Sequence, residues 1–416
     1  MRYIINDSKY HFMSAFDTKT GAYVRTGVLD ANGKDTGVDP FMASFPHLID
    51  VGVMGHCIHG KTGLCAKAGI GCYQSGLLVE QPNMTVENFR WIAGQCKGRC
   101  NQLALGGRGD PDQHEHFEEL LKISRENNLV PNFTTSGYGM TPELAELCKK
   151  YCGAVAVSWY RSEYTLNAIQ MLLNAGVKTN IHYVLGKNSI DEAIDRLERN
   201  DFPSGINAVI FLLHKPAGQG TAANMLSADD PRVARFFAQV DSRHPFKVGM
   251  DSCNVPGAIN FCKHILPESL DTCEGGRYSC YIGADMVMVP CSFDQQKRYE
   301  VQLSNDTTIE DAWNSDAFEQ FRSKMRGACP ECVNEALCMG GCPVKSHIVY
   351  GLCNHMVYTL SLIQPGVIVH EIALFECVNS LVQVDAADSE LSEHQCDLPR
   401  ERRLANGDAF PTKPFA

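Results

Sequence analysis

Eight cysteines in the second half of the chain are spaced like ligands of a metal ion or of an iron–sulfur cluster. Four of them, from Cys329 to Cys342, form a C-x2-C-x5-C-x3-C array, which a random scatter of the 19 cysteines would produce with a probability of about 0.002. Four thiolates bind either Zn²⁺ or a [4Fe–4S] cluster, so eight provide two such sites. The eight candidates are Cys273, Cys280, Cys291, Cys329, Cys332, Cys338, Cys342 and Cys353.

A second group of cysteines, Cys57, Cys65 and Cys72, shares one loop near the N-terminus. Three thiolates on a [4Fe–4S] cube leave one iron open for an outside ligand, which would make this loop a chemical site. The alternative is a closed zinc site in which His59 supplies the fourth ligand. The spacing alone does not decide between the two.

A glycine-rich turn follows this loop in the chain. Gly106, Gly107 and Gly109 precede Asp110 and Pro111, and glycines let backbone amides and carbonyls approach a ligand closely. On its own, such a turn is more typical of a tight connection between a strand and a helix. The three-cysteine loop nearby favours a binding site.

The other cysteines carry weaker signals. Cys96 with Cys100, and Cys148 with Cys152, lie four apart on predicted helices, a spacing that is more typical of buried core thiols than of ligands. No pattern assigns a role to Cys253.

The elements that must position these residues are parallel strands that alternate with helices. From residue 48, apolar runs alternate with helical patterns at intervals of roughly 20 to 35 residues, as βα units require. Thr141-Pro142 predicts a helix start, and Ser189 with Glu192 predicts a capping box. Such a series favours a partial (β/α)6 TIM-like barrel, which binds ligands at the carboxyl ends of its strands. The predicted strands cover residues 48–53, 102–105, 130–134, 154–158, 179–185, 206–213 and 246–250.

Four segments are predicted along the chain. Residues 1–47 form a β-hairpin segment, and residues 48–252 form the barrel of this α/β fold. Residues 253–353 form a bridging region with a small cysteine-rich domain, because the βα rhythm stops there while the cysteine density rises. Residues 354–416 form a helix and a polar tail.

The composition excludes several classes of protein. A chain of 416 residues, 44% of them hydrophobic, buries one large core or two ordinary ones, which excludes disorder as the main state. A net charge of −11 repels nucleic acids and anionic membranes, and no apolar run is long enough to span a bilayer. The N-terminus lacks a signal sequence, so we expect a cytoplasmic protein with reduced thiols and neither a nucleic acid nor a membrane as partner.

Together, these features resemble radical S-adenosylmethionine enzymes with a SPASM domain, over roughly residues 48–353. The turn at residues 106–111 is similar to the Gly-Gly-Glu-Pro turn of that family. Ser158 ends the fourth predicted strand, and the cysteine array follows in the family's order. Asp311-Ala312-Trp313-Asn314-Ser315 and Met339-Gly340-Gly341-Cys342-Pro343 also look like SPASM segments.

The resemblance implies which cofactors the protein binds and which candidate residues would bind each of them. Cys57, Cys65 and Cys72 would hold a cluster that binds S-adenosylmethionine, from which one electron releases a 5′-deoxyadenosyl radical that takes hydrogen from the substrate. The cofactor would be bound by Gly106, Gly107, Gly109, Asp110, Pro111 and Ser158, with Arg161 either meeting its carboxylate or forming a salt bridge. Two auxiliary clusters bring the total to three [4Fe–4S] clusters. Their ligands would be Cys273, Cys280, Cys291 and Cys342 for the first, and Cys329, Cys332, Cys338 and Cys353 for the second.

Four departures from the family pattern stand out. The loop spacing is C-x7-C-x6-C, where the family has C-x3-C-x2-C. Asp110 replaces the usual glutamate, and Met286 stands where the SPASM pattern has glycine. Ser292 follows Cys291, where sulfatase activators carry a catalytic aspartate, which weakens that interpretation.

The resemblance also implies a substrate class. SPASM enzymes mostly modify peptides and proteins, so the predicted activity is formation of a thioether or carbon–carbon cross-link in a ribosomally made peptide. The alternatives are oxidation of a Ser or Cys residue in a protein, or a non-enzymatic iron–sulfur or zinc protein that carries electrons or serves as a scaffold. The expected partners are a peptide or protein substrate and a small electron donor such as flavodoxin or ferredoxin.

Overall fold

The computed structural model describes residues 2–59, 63–76, 78–266, 270–326, 332, 334–344, 401–403 and 409–411. The strands are β1 (Arg2–Asp7), β2 (Phe12–Asp17), β3 (Tyr23–Arg25), β4 (Leu48–Met54), β5 (Gln102–Gly107), β6 (Val130–Thr135), β7 (Val155–Ser158), β8 (Thr179–Leu185), β9 (Ala208–Leu213), β10 (Lys247–Met250), β11 (Ser279–Ile282), β12 (Val287–Val289), β13 (Val301–Gln302), β14 (Glu401–Arg403) and β15 (Ala409–Pro411). The helices are α1 (Leu64–Lys67), α2 (Val86–Cys96), α3 (Phe117–Glu126), α4 (Pro142–Tyr151), α5 (Glu163–Asn174), α6 (Ile190–Arg199), α7 (Pro231–Val240), α8 (Val255–Phe261), α9 (Ile309–Trp313), α10 (Asp316–Ser323) and α11 (Glu335–Cys338). Within these ranges no helix has the length and apolar character that crossing a bilayer requires.

The central element is a ten-stranded sheet in the order β10-β9-β8-β7-β6-β5-β4-β11-β12-β13. Strands β4 to β10 are parallel to one another and adjacent in chain order, which confirms the predicted α/β fold. The sheet differs from the predicted partial (β/α)6 barrel in size, because it contains seven consecutive parallel strands. An eighth parallel strand, β11, comes from the cysteine-rich region and pairs with β4.

The parallel strands are buried on both faces, as helix-covered sheets require. In β9, for example, the consecutive residues 208–211 point alternately to the two faces and are all buried, and the strand is apolar along its whole length. Helices α2 to α7 pack their apolar residues on the sheet in one continuous core. The carboxyl ends of the strands are thereby fixed at one edge, where the loops with the candidate residues begin.

The two predicted helix starts have different outcomes. Thr141 accepts a hydrogen bond from the backbone N–H of Leu144 and precedes Pro142 in the first turn of α4, as predicted. The predicted capping box at Ser189 is wrong. The Ser189 hydroxyl accepts from the N–H of Gly186 instead, because the Glu192 carboxylate is engaged by arginines and by Trp159.

The N-terminal segment forms a three-stranded antiparallel sheet in which the predicted hairpin is β2 and β3, with β1 added at its edge. Several contacts attach this sheet to the rest of the protein, and two of them are buried. The Tyr23 hydroxyl lies 2.7 Å from Nδ1 of His47, whose pKa burial lowers to about 4. The buried Arg25 guanidinium pairs with Asp271 at 2.6 Å.

The cysteine-rich region continues the central sheet rather than standing apart from it. Beyond β11, strands β12 and β13 extend the sheet in antiparallel fashion. Helix α9 begins with a capping box between Thr308 and Asp311, and the indole N–H of Trp313 donates to the carbonyl of Ala43. The buried Arg322 guanidinium donates to the carbonyls of Gly276 and Trp313. The sheet therefore runs across the segment boundary predicted at residue 253.

Candidate functional site

The three-cysteine loop leaves the carboxyl end of β4. Cys57 follows the strand directly, Cys65 lies on the short helix α1, and Cys72 lies in the loop that follows. The sulfurs of Cys57 and Cys72 both lie 3.6 Å from the point that a Cβ on Gly76 would occupy. The Cys65 sulfur lies 3.4 Å from the Tyr160 hydroxyl, and its charge is coupled to those of the other two cysteines. The structure thus brings together the three residues that the sequence singled out.

The Cys65 thiol is poorly suited to ionise by itself. Burial raises its pKa to about 11, and Cys57 and Cys72 push the pKa in the same direction, while the hydrogen bond between Cys65 and Tyr160 opposes them. A bound metal removes this barrier, since coordination deprotonates a thiol outright. The chemistry of the three thiols therefore fits a positively charged iron centre.

The three thiols fit a cluster better than a closed zinc site. Four ligands at 2.3 Å from one zinc ion bring their sulfurs to about 3.8 Å from each other, whereas a cube offers each thiolate its own iron. In the part of the chain that the structure describes, no three His, Cys, Asp or Glu side chains are arranged to hold a single metal ion. His59, the proposed fourth zinc ligand, uses its Nε2 to contact Asp110 and Ser136.

The glycine turn after β5 lies directly against the cysteine loop. Gly107 and Gly109 both have a φ of 105°, a region that favours glycine. A Cβ on Gly109 would lie 2.6 Å from the carbonyl oxygen of His56 and 3.3 Å from Cα of Cys57. A Cβ on Gly106 would meet no protein atom within 4 Å. Gly107 and Gly109 thus allow the close approach of the two loops, and Gly106 leaves open space beside them.

Gly109→Ala tests this close approach. The added methyl group must displace the backbone before Cys57 and adopt an unfavourable φ, so we expect a loss of about 1–3 kcal/mol in the free energy of unfolding. We also expect less iron to be retained by the purified protein. The control is Gly94→Ala in helix α2, where a Cβ meets nothing within 4 Å and should stabilise the helix by about 0.5–1 kcal/mol. Normal stability and iron content in Gly109→Ala would contradict this role.

Asp110 joins the two loops through a buried hydrogen-bond network that the sequence did not predict. Its Oδ2 lies 2.8 Å from Nε2 of His59 and accepts a hydrogen bond from the Ser136 hydroxyl, while its Oδ1 accepts one from the Ser136 N–H at 2.9 Å. Ser136 follows β6, so three strand ends meet at this carboxylate. The network holds Asp110 in one orientation beside the glycine turn.

Asp112 is a second buried carboxyl group on the same turn. Burial, followed by the charge of Asp110, raises its pKa to about 8. Its Oδ2 accepts a hydrogen bond from the Thr135 hydroxyl, but its Oδ1 has no partner. The folded protein therefore holds a proton on Asp112 that the unfolded chain releases above about pH 4.

Asp112→Asn should consequently change how stability depends on pH. Because the native pKa is raised, Asp112 lowers the stability progressively as the pH increases from about 4 to about 8. We expect the variant to be more stable than the wild type by about 5 kcal/mol at pH 8, with the difference shrinking towards pH 4. Urea denaturation across this pH range measures it. A constant difference at all pH values would contradict the assignment.

The loop after β9 supports the cysteine loop from the other side. The N–H of Gln219 donates to the carbonyl of Cys72 at 2.9 Å, and a Cβ on Gly71 would lie 2.7 Å from the carbonyl oxygen of Gln219. Among the described residues, two buried side-chain atoms of these loops have no hydrogen-bond partner, Oε1 of Gln219 and Nε2 of Gln74. Unpaired polar atoms in loops at this edge of the sheet are what a site for a polar ligand would contain.

A buried ion pair stands at the ends of the last two parallel strands. Nζ of Lys215 lies 2.8 Å from Oδ2 of Asp251, and both side chains are almost completely enclosed. The ammonium also lies 4.0 Å from the centre of the Phe293 ring, which in turn stacks on Tyr73 of the cysteine loop at 4.4 Å. Lys215 and Phe293 thus connect the barrel, the cysteine loop and the cysteine-rich region.

The other two predicted cofactor residues lie beyond the fourth barrel strand. Ser158 ends β7 and is in register with His182 on β8, and its role stays a prediction. The Nε of Arg161 donates to the Glu192 carboxylate at 2.7 Å, and its Nη1 donates to the carbonyl of Ala68 at 3.3 Å. Of the two alternatives for Arg161, the structure contains the salt bridge.

The thiols predicted for the auxiliary clusters are only partly brought together. Cys273 and Cys291 pack beside the buried Cys342 in a small cluster of apolar residues. Cys280, in contrast, lies in the main core with Cys100. Cys332 and Cys338 are described, whereas Cys329 and Cys353 lie outside the described residues, so this second set stays a prediction.

Comparison with known proteins finds one matching domain and one protein of similar sequence. Residues 273–334 match the SPASM domain, an iron-sulfur cluster-binding domain. Mycofactocin maturase MftC of Mycolicibacterium smegmatis is 24% identical over 284 residues, which cover 60% of this chain and 69% of that protein.

Solved structures share the fold at low sequence identity. SuiB of Streptococcus suis bound to S-adenosylmethionine has a TM-score of 0.54 at 15% identity, covering 80% of this chain and 78% of that chain. SuiB bound to the precursor peptide SuiA has a TM-score of 0.52 at 15% identity, covering 80% of this chain and 76% of that chain. Native anSMEcpe with bound AdoMet has a TM-score of 0.54 at 14% identity, covering 82% of this chain and 100% of that chain. These likenesses establish the architecture of the sheet and its cysteine-rich extension.

Proposed function

We propose that this chain, a radical S-adenosylmethionine enzyme with a SPASM domain, abstracts hydrogen from a residue of a peptide and forms a thioether or carbon–carbon cross-link in it. The observation that carries the proposal is the meeting of the cysteine loop with the glycine turn. Cys57, Cys65 and Cys72 gather at the carboxyl ends of the parallel strands, which is the ligand-binding edge of such a sheet.

The residues around the thiols have separate tasks in this proposal. Cys57, Cys65 and Cys72 hold a [4Fe–4S] cluster with one open iron, and the Asp110 carboxylate accepts hydrogen bonds from the amino group of S-adenosylmethionine. When bound, the cluster and S-adenosylmethionine would together supply a 5′-deoxyadenosyl radical for hydrogen abstraction. His59 and Ser136 keep Asp110 oriented, because both contact its Oδ2.

Open backbone and an aromatic contact complete the proposed cofactor site. Gly106 leaves room for the methionine moiety, since no atom of the described residues lies within 4 Å of the point its Cβ would occupy. Tyr73, the residue after Cys72, stacks on Phe293 of the cysteine-rich region and supports this end of the loop. Ser158 and the remaining glycines of the turn would contact the rest of the cofactor.

A peptide substrate is supported by two of the similar proteins. One is a maturase, and SuiB binds a precursor peptide. We infer that this chain also takes a peptide, with a small electron donor such as a flavodoxin or ferredoxin supplying the electron.

We further propose three [4Fe–4S] clusters, one in the cysteine loop and two in the cysteine-rich region. Oxidation of a Ser or Cys residue in a protein is a second possible outcome of the same experiment.

The test uses the anaerobically reconstituted enzyme with reductant, S-adenosylmethionine and short peptides encoded beside its gene. We expect a peptide lighter by two hydrogen atoms per cross-link, and transfer of deuterium from a labelled side chain into 5′-deoxyadenosine. Fragmentation then distinguishes a cross-link, which joins two residues, from oxidation confined to one Ser or Cys. Cleavage of S-adenosylmethionine without deuterium transfer from any peptide would contradict the proposed substrate class.

A further inference from the structure

We propose that Cys253, and not Cys280, completes the ligand set of the first auxiliary cluster. The set is then Cys253, Cys273, Cys291 and Cys342. This inference rests on the proposed function only in requiring a [4Fe–4S] cluster in the cysteine-rich region. It does not depend on S-adenosylmethionine or on the substrate.

Cys253 reaches the other thiols because of where β10 ends. It lies in the single turn Ser252–Asn254, directly after the last parallel strand, and its thiol is hydrogen-bonded to that of Cys342. Cys342 is buried in the small apolar cluster against which Cys273 and Cys291 pack. A Cβ on Gly275, two residues after Cys273, would lie 3.4 Å from Cβ of Cys291. Four cysteines from four separate segments therefore meet at this small cluster.

The charges of these thiols also act on one another. The charge of Cys253 acts on both Cys273 and Cys291, and the charge of Cys273 acts on Cys291. The thiols of these three residues therefore lie within electrostatic reach of one another.

Cys280 has different surroundings. It lies on β11 and is 2% exposed, and it alternates with Tyr281 so that it faces the same side of the sheet as the fully buried Ile282. The charges that act on it come from Cys100, Asp50 and Arg322. The Cys100 thiol donates to the carbonyls of His47 and Gln102, deep in the main core. Cys280 therefore belongs to the packing between sheet and helix.

The position of Cys253 also brings a cation to the proposed cluster. The buried Lys215 ammonium interacts with the charges of Cys253, Cys342 and Cys291. A cube with four thiolate ligands carries net negative charge, which a nearby ammonium stabilises, and local charge is one of the factors that set a cluster's potential. The cluster would thus stand at the edge of the sheet where the loop of Cys57 also begins.

The experiment first removes the proposed cluster of the three-cysteine loop, so that the result does not depend on the proposed activity. In a Cys57→Ala, Cys65→Ala and Cys72→Ala background, the anaerobically reconstituted protein should hold about eight irons per chain in two cubes. Into this background, Cys253→Ala and Cys280→Ala are introduced separately. Iron, sulfide and the electron paramagnetic resonance spectrum of the reduced protein are measured. Cys280→Val serves as a second variant at that site, because it fills the apolar position on the strand without offering a ligand.

We expect Cys253→Ala to hold about four irons fewer, or to keep them with an altered spectrum from a cube on three thiolates. We expect the Cys280 variants to keep the iron content and the spectrum of the background. The proposal is overturned if Cys280→Val loses the iron while Cys253→Ala keeps iron and spectrum, or if both positions cause the same loss. Thermal unfolding followed by circular dichroism verifies that each variant is folded.

Discussion

Replacing Cys57, Cys65 or Cys72 with alanine is expected to remove about four irons per chain and to reduce cleavage of S-adenosylmethionine to the background of the assay. The physical reason is that three thiolates are the minimum that keeps a cube in place with one iron open. His59 is a poor substitute for a missing thiolate, because its Nε2 is engaged by Asp110 and Ser136.

The matched control for these variants is Cys152→Ala. Cys152 ends helix α4 and interacts with Cys148, away from the proposed clusters, so its replacement should leave iron content and S-adenosylmethionine cleavage unchanged. If a loop variant keeps the full iron content, or if Cys152→Ala loses as much iron as the loop variants do, the assignment of the loop is wrong.

Asp251→Asn is expected to destabilise the protein by about 3–5 kcal/mol, because it leaves the Lys215 ammonium buried without its counter-ion. The two side chains are 1% and 11% exposed, so water cannot replace the lost partner. The amide oxygen of Asn can still accept the bonds that Oδ1 of Asp251 receives from the N–H of Leu213 and the side chain of Asn254. The decrease in the free energy of unfolding therefore reports the missing carboxylate charge rather than the loss of these two hydrogen bonds. Urea denaturation of the anaerobically purified protein measures the loss.

A double variant separates the buried charge from the shape of the site. Lys215→Met combined with Asp251→Asn removes both charges while keeping the volume and the Oδ1 acceptor, so most of the stability should return. A single variant that costs less than about 1 kcal/mol, or a double variant that is no more stable than the single, would show that the ion pair does not hold the ends of β9 and β10 together.

The parallel sheet could be predicted from the sequence because each strand is marked by a pattern of neighbouring residues. All seven predicted strands occur, with ends that differ by at most two residues, and residues 179–185 are placed without error. Strands that are buried on both faces form continuous apolar runs, and glycines, prolines and caps mark their ends. The meeting of the loop cysteines was also predictable, because Cys57, Cys65 and Cys72 follow one another after the first parallel strand.

The contacts between distant segments were not predictable in the same way. His59 and Asp110 are separated by 51 residues, and Lys215 and Asp251 by 36, with no pattern that joins either pair. A spacing pattern that starts at Cys273 includes Cys280 but cannot include Cys253, which precedes it and reaches Cys342 only through the fold. The capping box at Ser189 failed for a similar reason, since Glu192 bonds to Arg161 and Arg196 instead.

The most direct test of the central claim is the formation of 5′-deoxyadenosine by the wild-type protein after anaerobic reconstitution with iron and sulfide. With dithionite and S-adenosylmethionine, and without any peptide, we expect slow release of 5′-deoxyadenosine and methionine in equal amounts. The release should disappear in Cys65→Ala and persist in Cys152→Ala. Protein that purifies with zinc in place of iron, or that holds its clusters and yet forms no 5′-deoxyadenosine with reductant present, would contradict the account.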